Sequence, residues 1–109
     1  MPNHESLDLE APLLPLVAPS RLTADVRLEF RRAALEALDT AVRNGATAVE
    51  LDLGPTVEMD ASGLGVLILV QKRARERGLV TRLLHVPKVV EQMLQGTNLV
   101  ALFDISRSH

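Results

Sequence analysis

The sequence predicts a single α/β domain with a mixed, mostly parallel sheet of about four to five strands and three to four helices. Three observations carry that expectation. Apolar residues recur with period two in some stretches and at three- and four-residue spacing in others, as in half-buried strands and amphipathic helices. The two patterns alternate in the order strand, helix, strand, helix, strand, helix, strand, which favours parallel pairs joined by right-handed crossovers. The chain is also of a size that builds one core: 109 residues, 47% of them hydrophobic, with no internal repeat and no low-complexity segment.

Residues 1–10 are polar and turn-forming and read as an N-terminal tail or weak edge strand; the domain follows at 11–106, and 107–109 form a C-terminal tail. Leu13-Leu14-Pro15-Leu16-Val17 is a short apolar run. Pro12 and Pro15 cannot donate ladder hydrogen bonds, so a strand here belongs at an edge or a bulge. Ala18-Pro19-Ser20 breaks the run. Thr23 or Asp25 is placed to cap the helix that follows over 26–42. Its apolar stripe is Val26, Phe30, Ala33, Ala34, Ala37, Leu38 and Ala41; Arg27, Arg31, Arg32, Glu36, Asp39 and Arg43 fill the other face, and Asn44-Gly45 stops it.

From 48 to 53 the period becomes two, with Val49, Leu51 and Leu53 on one face and Glu50 and Asp52 on the other. Gly54-Pro55-Thr56 turns the chain. A second helix reads over 64–77, with Lys72, Arg73, Arg75 and Arg77 near its C-terminal end, where positive charge suits the helix dipole, and Gly78 ending it. Residues 79–86 form a further strand candidate. Pro87 takes a first helical position, Val89, Val90, Met93 and Leu94 make a buried stripe ending at Gly96, and Leu102-Phe103-Asp104-Ile105 closes the order as a last strand.

Composition excludes several functions. Phe30 and Phe103 are the only aromatic residues, 2% of the chain, so there are no stacking platforms for single-stranded nucleic acid. A net charge of −2 gives no electrostatic grip on phosphate backbones, so no direct nucleic-acid partner is expected. Without cysteine there is no disulfide, thiolate nucleophile or thiolate zinc site. No basic n-region with an apolar run opens the chain, and 64–70 is far short of the roughly 20 residues that span a bilayer. The expectation is a cytoplasmic protein without membrane insertion, a monomer or weak dimer.

The most informative segment is Glu58-Met59-Asp60-Ala61-Ser62-Gly63-Leu64-Gly65-Val66-Leu67, between a strand and a helix. It falls at the carboxyl end of the strand, where function collects in open α/β sheets. Two readings of it stand side by side. Free N–H groups and the positive end of the helix would favour an anion there, including a phosphate attached to Ser62 itself. Alternatively, Asp60 or Ser62 simply caps the helix, and small residues let helix pack on strand. A Walker loop fails for want of Gly-Lys-Ser/Thr, Gly63-Leu64-Gly65 is a fragment of a dinucleotide fingerprint, and the hydrolase elbow lacks its glycine before Ser62. His4 and His109 are terminal, and His85 lies in a strand pattern without a partner motif. Glu50 and Asp52 read as a solvated carboxylate pair, and the basic run at 72–77 as a solvated helix end. No catalytic residue, metal or cofactor is nominated, and an enzyme is not expected.

Together, Ala48-Val49-Glu50-Leu51-Asp52-Leu53 and Met59-Asp60-Ala61-Ser62-Gly63-Leu64-Gly65-Val66-Leu67 resemble the signature of STAS domains, in particular the bacterial anti-sigma factor antagonists. The likeness extends over about residues 12–106 through the Gly-ended basic helix, the helix opened by Pro87 and Gly96-Thr97-Asn98-Leu99. The resemblance implies that Ser62 is the serine phosphorylated by an anti-sigma factor kinase. It implies partner switching: the unphosphorylated protein binds the anti-sigma factor, phosphorylation releases it, and a phosphatase resets the switch in transcription regulation. It also assigns partner binding to Asp60, Ala61, Ser62, Gly63, Leu64 and Gly65, with Ser20 and Arg21 from the turn after the first strand. The sequence departs from the antagonists in three places: Ala61 replaces a common serine, Glu58 a usually apolar residue, and Val17-Ala18-Pro19-Ser20-Arg21-Leu22 a Gly-Glu-Leu-Asp-like turn. The same resemblance allows a second role, as the STAS subunit of a phospholipid-transport ABC system or a scaffold component, in which the loop and second helix grip an ATPase subunit without phosphorylation.

Overall fold

The computed structural model describes residues 14–106; the expectations for the tail at 1–10, Pro12, Leu13, His4, residues 107–109 and His109 lie outside them. The chain enters the sheet as β1 (Leu16–Val17), then β2 (Arg21–Leu22), and passes through a 3-10 turn (Ala24–Val26) into α1 (Arg27–Arg43). β3 (Ala48–Asp52) and β4 (Glu58–Met59) precede α2 (Ala61–Glu76), and β5 (Val80–Leu84) precedes α3 (Lys88–Gly96). A second 3-10 turn (Val100–Leu102) leads into β6 (Asp104–Ser106).

The main sheet has the order β1-β3-β5-β6, and every ladder in it is parallel. This is the α/β architecture that the alternating periodicity predicts. Because the strands follow one another across the sheet without reversal, crossovers of one hand leave the helices on one face. The burial confirms a two-faced sheet: Val49, Leu51, Thr81 and Leu83 are buried, whereas Glu50, Asp52, Arg82 and Leu84 on the other face are partly exposed. On that outer face Glu50, Arg82 and Asp104 stand opposite one another on three strands. Arg82 donates to Glu50 at 3.1 Å and to Asp104 at 2.8 Å, and these carboxylates, Asp104 first, raise its pKa above the ordinary arginine value. Glu50 is thus committed to a cross-strand ion ladder.

The core is aliphatic, as the composition requires. Leu22, Leu51, Leu53, Leu67, Leu83, Leu94, Val70 and Val90 are fully enclosed, and Phe30 and Phe103 are buried at 4% and 8% exposure. Dispersion among such close-packed side chains, with the apolar area removed from water, holds the layers together.

Several local expectations need correction. Neither Thr23 nor Asp25 caps α1: Thr23 makes no side-chain cap bond, and its hydroxyl donates to Asp25 instead, so the 3-10 turn carries the chain into the helix. The second helix begins at Ala61, not at 64, because Asp60 caps it. Pro87 is the residue before α3, extended at φ −77° and ψ 164°, and its carbonyl accepts from Val90 and Glu91. The last strand starts only at Asp104, after the 3-10 turn. The strand at 79–86 shortens to Val80–Leu84, and His85 beyond it takes the left-handed region at φ 53°.

The sequence gives no sign of the small second sheet, β2 beside β4, with Arg21 opposite Glu58 and Leu22 opposite Met59. Two residues per strand are too few to show a period. The sheet nonetheless seats α2. A Cβ at Gly63 would fall 2.2 Å from the Leu22 carbonyl oxygen, so helix backbone lies directly on strand backbone there. Gly63→Ala is therefore expected to lower stability by about 1–3 kcal/mol through overpacking. The measurement is a lower urea midpoint at unchanged m value, and an unmoved midpoint would contradict the close approach.

Candidate functional site

After β3 the chain is turned by its own polar groups. Asp52 Oδ1 accepts from the Gly54 amide at 2.9 Å, Thr56 N donates to the Leu53 carbonyl, and the buried Thr56 hydroxyl donates to the Pro19 carbonyl at 2.8 Å. The chain then runs beside β2: Val57 N and Glu58 N both donate to the Ser20 carbonyl, and Arg21 Nε pairs with Glu58 Oε1 at 3.0 Å. Ser20 and Arg21, both exposed, are brought alongside the entry to α2 by this pairing.

Asp60 closes the arrangement. In an extended conformation it accepts at Oδ1 from Ser62 N (2.9 Å) and Gly63 N (3.1 Å), and at Oδ2 from Ala24 N (3.1 Å). One carboxylate thus satisfies orphan amides at the start of α2 and ties it to the turn that opens α1. This decides between the two readings of the segment's amides. Asp60 is the cap, and the Ser62 and Gly63 N–H groups are not free for an external anion.

The remaining residues of the segment divide by direction. Gly63 and Leu64 face the core, Ala61 and Gly65 are exposed, and Ser62 is half-buried. The Ser62 hydroxyl has no hydrogen-bond partner among the described residues. Ser62 lines a groove of ≈ 500 Å³ between α1 and α2, shared with Arg27, Leu28, Arg31, Gly65, Val66 and Leu69. Arg27 and Arg31 are the only charged residues of that groove, and neither is paired with a carboxylate among the described residues. In the sequence these arginines read only as part of a polar helix face. Their spacing of four, on the helix preceding the motif, was the available signal.

Gly65 differs from Gly63. Nothing lies within 4 Å of a Cβ built at Gly65, so no internal contact requires a glycine in this helix.

The other candidates stay apart from Ser62. His85 is exposed, and its Nδ1 lies 3.2 Å from Asp52 Oδ1 at the carboxyl ends of β3 and β5. The Thr23 hydroxyl, ahead of the Asp25 backbone amide and Arg21, holds the Asp25 carboxyl below the usual carboxylate range. Among the described residues no group of three or more His, Cys, Asp or Glu could hold a metal ion, and no helix is long and apolar enough to cross a membrane.

The family model described as "MlaB, STAS domain" matches residues 16–104. The chain belongs to the STAS domain family. Two solved structures share this STAS fold. A Thermotoga maritima protein provisionally assigned as an anti-sigma factor antagonist superimposes with a TM-score of 0.70 at 22% identity, over 89% of this chain and 86% of that one. A sulfate transporter family protein from Wolinella succinogenes does so with a TM-score of 0.63 at 18% identity, over 87% of this chain and 78% of that one. At these identities the likeness is one of fold. No curated protein matches the sequence.

Two substitutions test how this STAS domain builds the site. Asp60→Ala should cost about 0.5–2 kcal/mol of unfolding free energy, and Asp60→Asn less, because the amide oxygen still accepts. Equal denaturation midpoints for the parent and Asp60→Ala would count against the cap. Gly65→Ala should raise stability by about 0.5–1 kcal/mol, since helix propensity improves and nothing is displaced. A lowered melting temperature would show that Gly65 serves an internal contact after all.

Proposed function

We propose that this STAS domain is a binding module acted upon by a kinase, an anti-sigma factor antagonist-like switch in transcription regulation whose phospho-acceptor is Ser62. One observation carries the reading: a half-buried serine hydroxyl without an internal hydrogen bond stands on a helix end fixed by Asp60. A hydroxyl that the fold does not use is available to a partner. Among the described residues no His or carboxylate is bonded to Ser62 Oγ, which supports a substrate role over a nucleophile role. In the proposed reaction a partner kinase supplies ATP and a base. The Ser62 Oγ–P bond forms, the bond to the γ-phosphorus in ATP breaks, ADP leaves, and the hydroxyl proton passes to the kinase. Hydrolysis by a separate phosphatase returns serine and inorganic phosphate.

The binding face in this proposal is the exposed surface around Ser62: Ala61, Gly65 and the α1–α2 groove, with Ser20 and Arg21 at its side. Asp60, Gly63 and Leu64 hold that face in shape from within. The phosphate adds about −1.5 to −2 charge at pH 7 to a contact surface, enough to dismantle a complex without refolding the domain. An aliphatic core that is already fully enclosed suits a switch that changes charge and leaves shape alone.

A second reading keeps the fold and changes the partner. The family model is described by MlaB and not by an antagonist. That favours a STAS subunit of a phospholipid-transport ABC system, in which the same face grips an ATPase subunit with no phosphate involved. The two readings separate experimentally. Incubation with the serine kinase found on pull-down from the native host, plus ATP, should add one phosphoryl group by intact mass, and Ser62→Ala should abolish it. Ser62→Asp should weaken the complex at least about tenfold by calorimetry. Transfer to another residue, or no transfer together with recovery of an ABC ATPase as the stable partner, would overturn the first reading in favour of the second.

A further inference from the structure

Phosphorylation of Ser62 would place a dianion in a groove whose charged lining is positive, and this gives the modification a destination within the molecule. Two of the amides that usually receive an anion at a helix start are occupied: Ser62 N and Gly63 N donate to Asp60 Oδ1. The charged partners that remain for the phosphate in the groove are side chains. Arg27 and Arg31 lie four residues apart on α1, and so on one face, and both line the groove that holds Ser62. Both are exposed and free of ion pairs among the described residues, so no existing contact has to break for them to turn inward. Guanidinium groups bind phosphate oxygens with two parallel N–H donors, a geometry that suits a pair of arginines approaching from one helix.

We propose that phosphoserine 62 is captured in cis by Arg27 and Arg31, across the α1–α2 groove. The inference rests on the phospho-acceptor reading of Ser62 and deepens it by stating what the phosphate does. The groove changes from a charge of about +2 to about neutral as the dianion forms. Phosphorylation thereby removes two arginines from the partner's reach, and release follows from the loss of that positive surface as well as from the added negative charge. The adjoining groove, of ≈ 790 Å³, shares Leu28 and Arg31 and adds Arg32, Arg73 and Arg77, but Glu36, Asp39 and Glu76 line it too. Its mixed charge gives a phosphate less reason to go there, and it lies farther along the helices from Ser62.

The charges facing the phosphate from each neighbouring element are few. Asp60 stands at the cap and Asp25 in the 3-10 turn, both opposing the dianion, and the Arg21–Glu58 pair lies on the small sheet. All of these are retained when the α1 arginines are changed, so a comparison of variants isolates the arginine contribution.

The experiment installs phosphoserine at position 62 during translation, which needs no kinase, and follows its second ionisation by phosphorus NMR across pH. The expected result is a midpoint at least about half a unit lower in the parent than in Arg27→Gln/Arg31→Gln, because neighbouring positive charge favours the dianion. Arg75→Gln, an exposed arginine at the far end of α2 outside the groove, should leave the midpoint where it was. Arg27→Lys/Arg31→Lys keeps the charge without the fork and should recover part of the shift, which guards against a folding artefact in the glutamine pair. Equal midpoints in the parent and the glutamine pair, or an equal shift from Arg75→Gln, would overturn the capture. Failure of the kinase to modify Ser62 would sink the phospho-acceptor reading while leaving this titration intact, so the two failures are distinguishable.

Discussion

The Asp60 carboxylate is the interaction on which the site depends. Its two oxygens accept three backbone N–H donors, two from α2 and one from the turn before α1. Hydrogen bonds to a charged acceptor are stronger than neutral ones. Together they fix the entry of one helix against the entry of another. The Asp60 amide itself donates to the Leu22 carbonyl at 3.2 Å, so the same residue continues the small sheet. With Gly63 pressed on Leu22 from the next turn, sheet, turn and helix are locked within a few residues. The α1–α2 groove opens from this knot, and the position of Ser62 follows from it.

The sheet offers no crevice of the usual kind. Open α/β sheets bind ligands where the strand order reverses, because adjacent helices then diverge to opposite faces. The order β1-β3-β5-β6 has no reversal among the described strands. The outer face is occupied by the ladder of Glu50, Arg82 and Asp104, and the carboxyl ends carry the Asp52–His85 contact beside an exposed turn. The groove around Ser62 lies instead at the edge where two helices begin side by side. A surface of that kind suits a macromolecular partner better than a small substrate enclosed on all sides.

The alternation of elements and the aliphatic core were legible because each is written in periodicity. Val49 and Leu51 announce β3, and the helix after Asp60 was legible in its apolar run but not in its first residue, Ala61. Other features were not legible, for physical reasons. β2 and β4 are two residues each, and their pairing joins segments 37 residues apart, as the Arg21–Glu58 contact shows. The choice between Asp60 and Ser62 as cap depends on backbone angles that either residue could supply. Arg27 and Arg31 look like any solvated helix face until α2 is laid beside α1. Thr23 differs for the opposite reason: its hydroxyl donates to the nearby Asp25 carboxylate and accepts from no helix amide.

Gly63 and Gly65 show how structural and functional demands separate within one turn of helix. Both weaken a helix by propensity, each by roughly 1 kcal/mol relative to alanine. For Gly63 the Leu22 carbonyl explains the choice completely, because a side chain has nowhere to go. For Gly65 the fold offers no explanation, since the space beside it is open. The same holds for a serine hydroxyl without a partner and for two arginines without counter-ions among the described residues. Residues that folding does not explain are spread thinly over most surfaces, yet here four of them line one groove. Their coincidence in space, more than any one of them, is the argument for the proposed binding face.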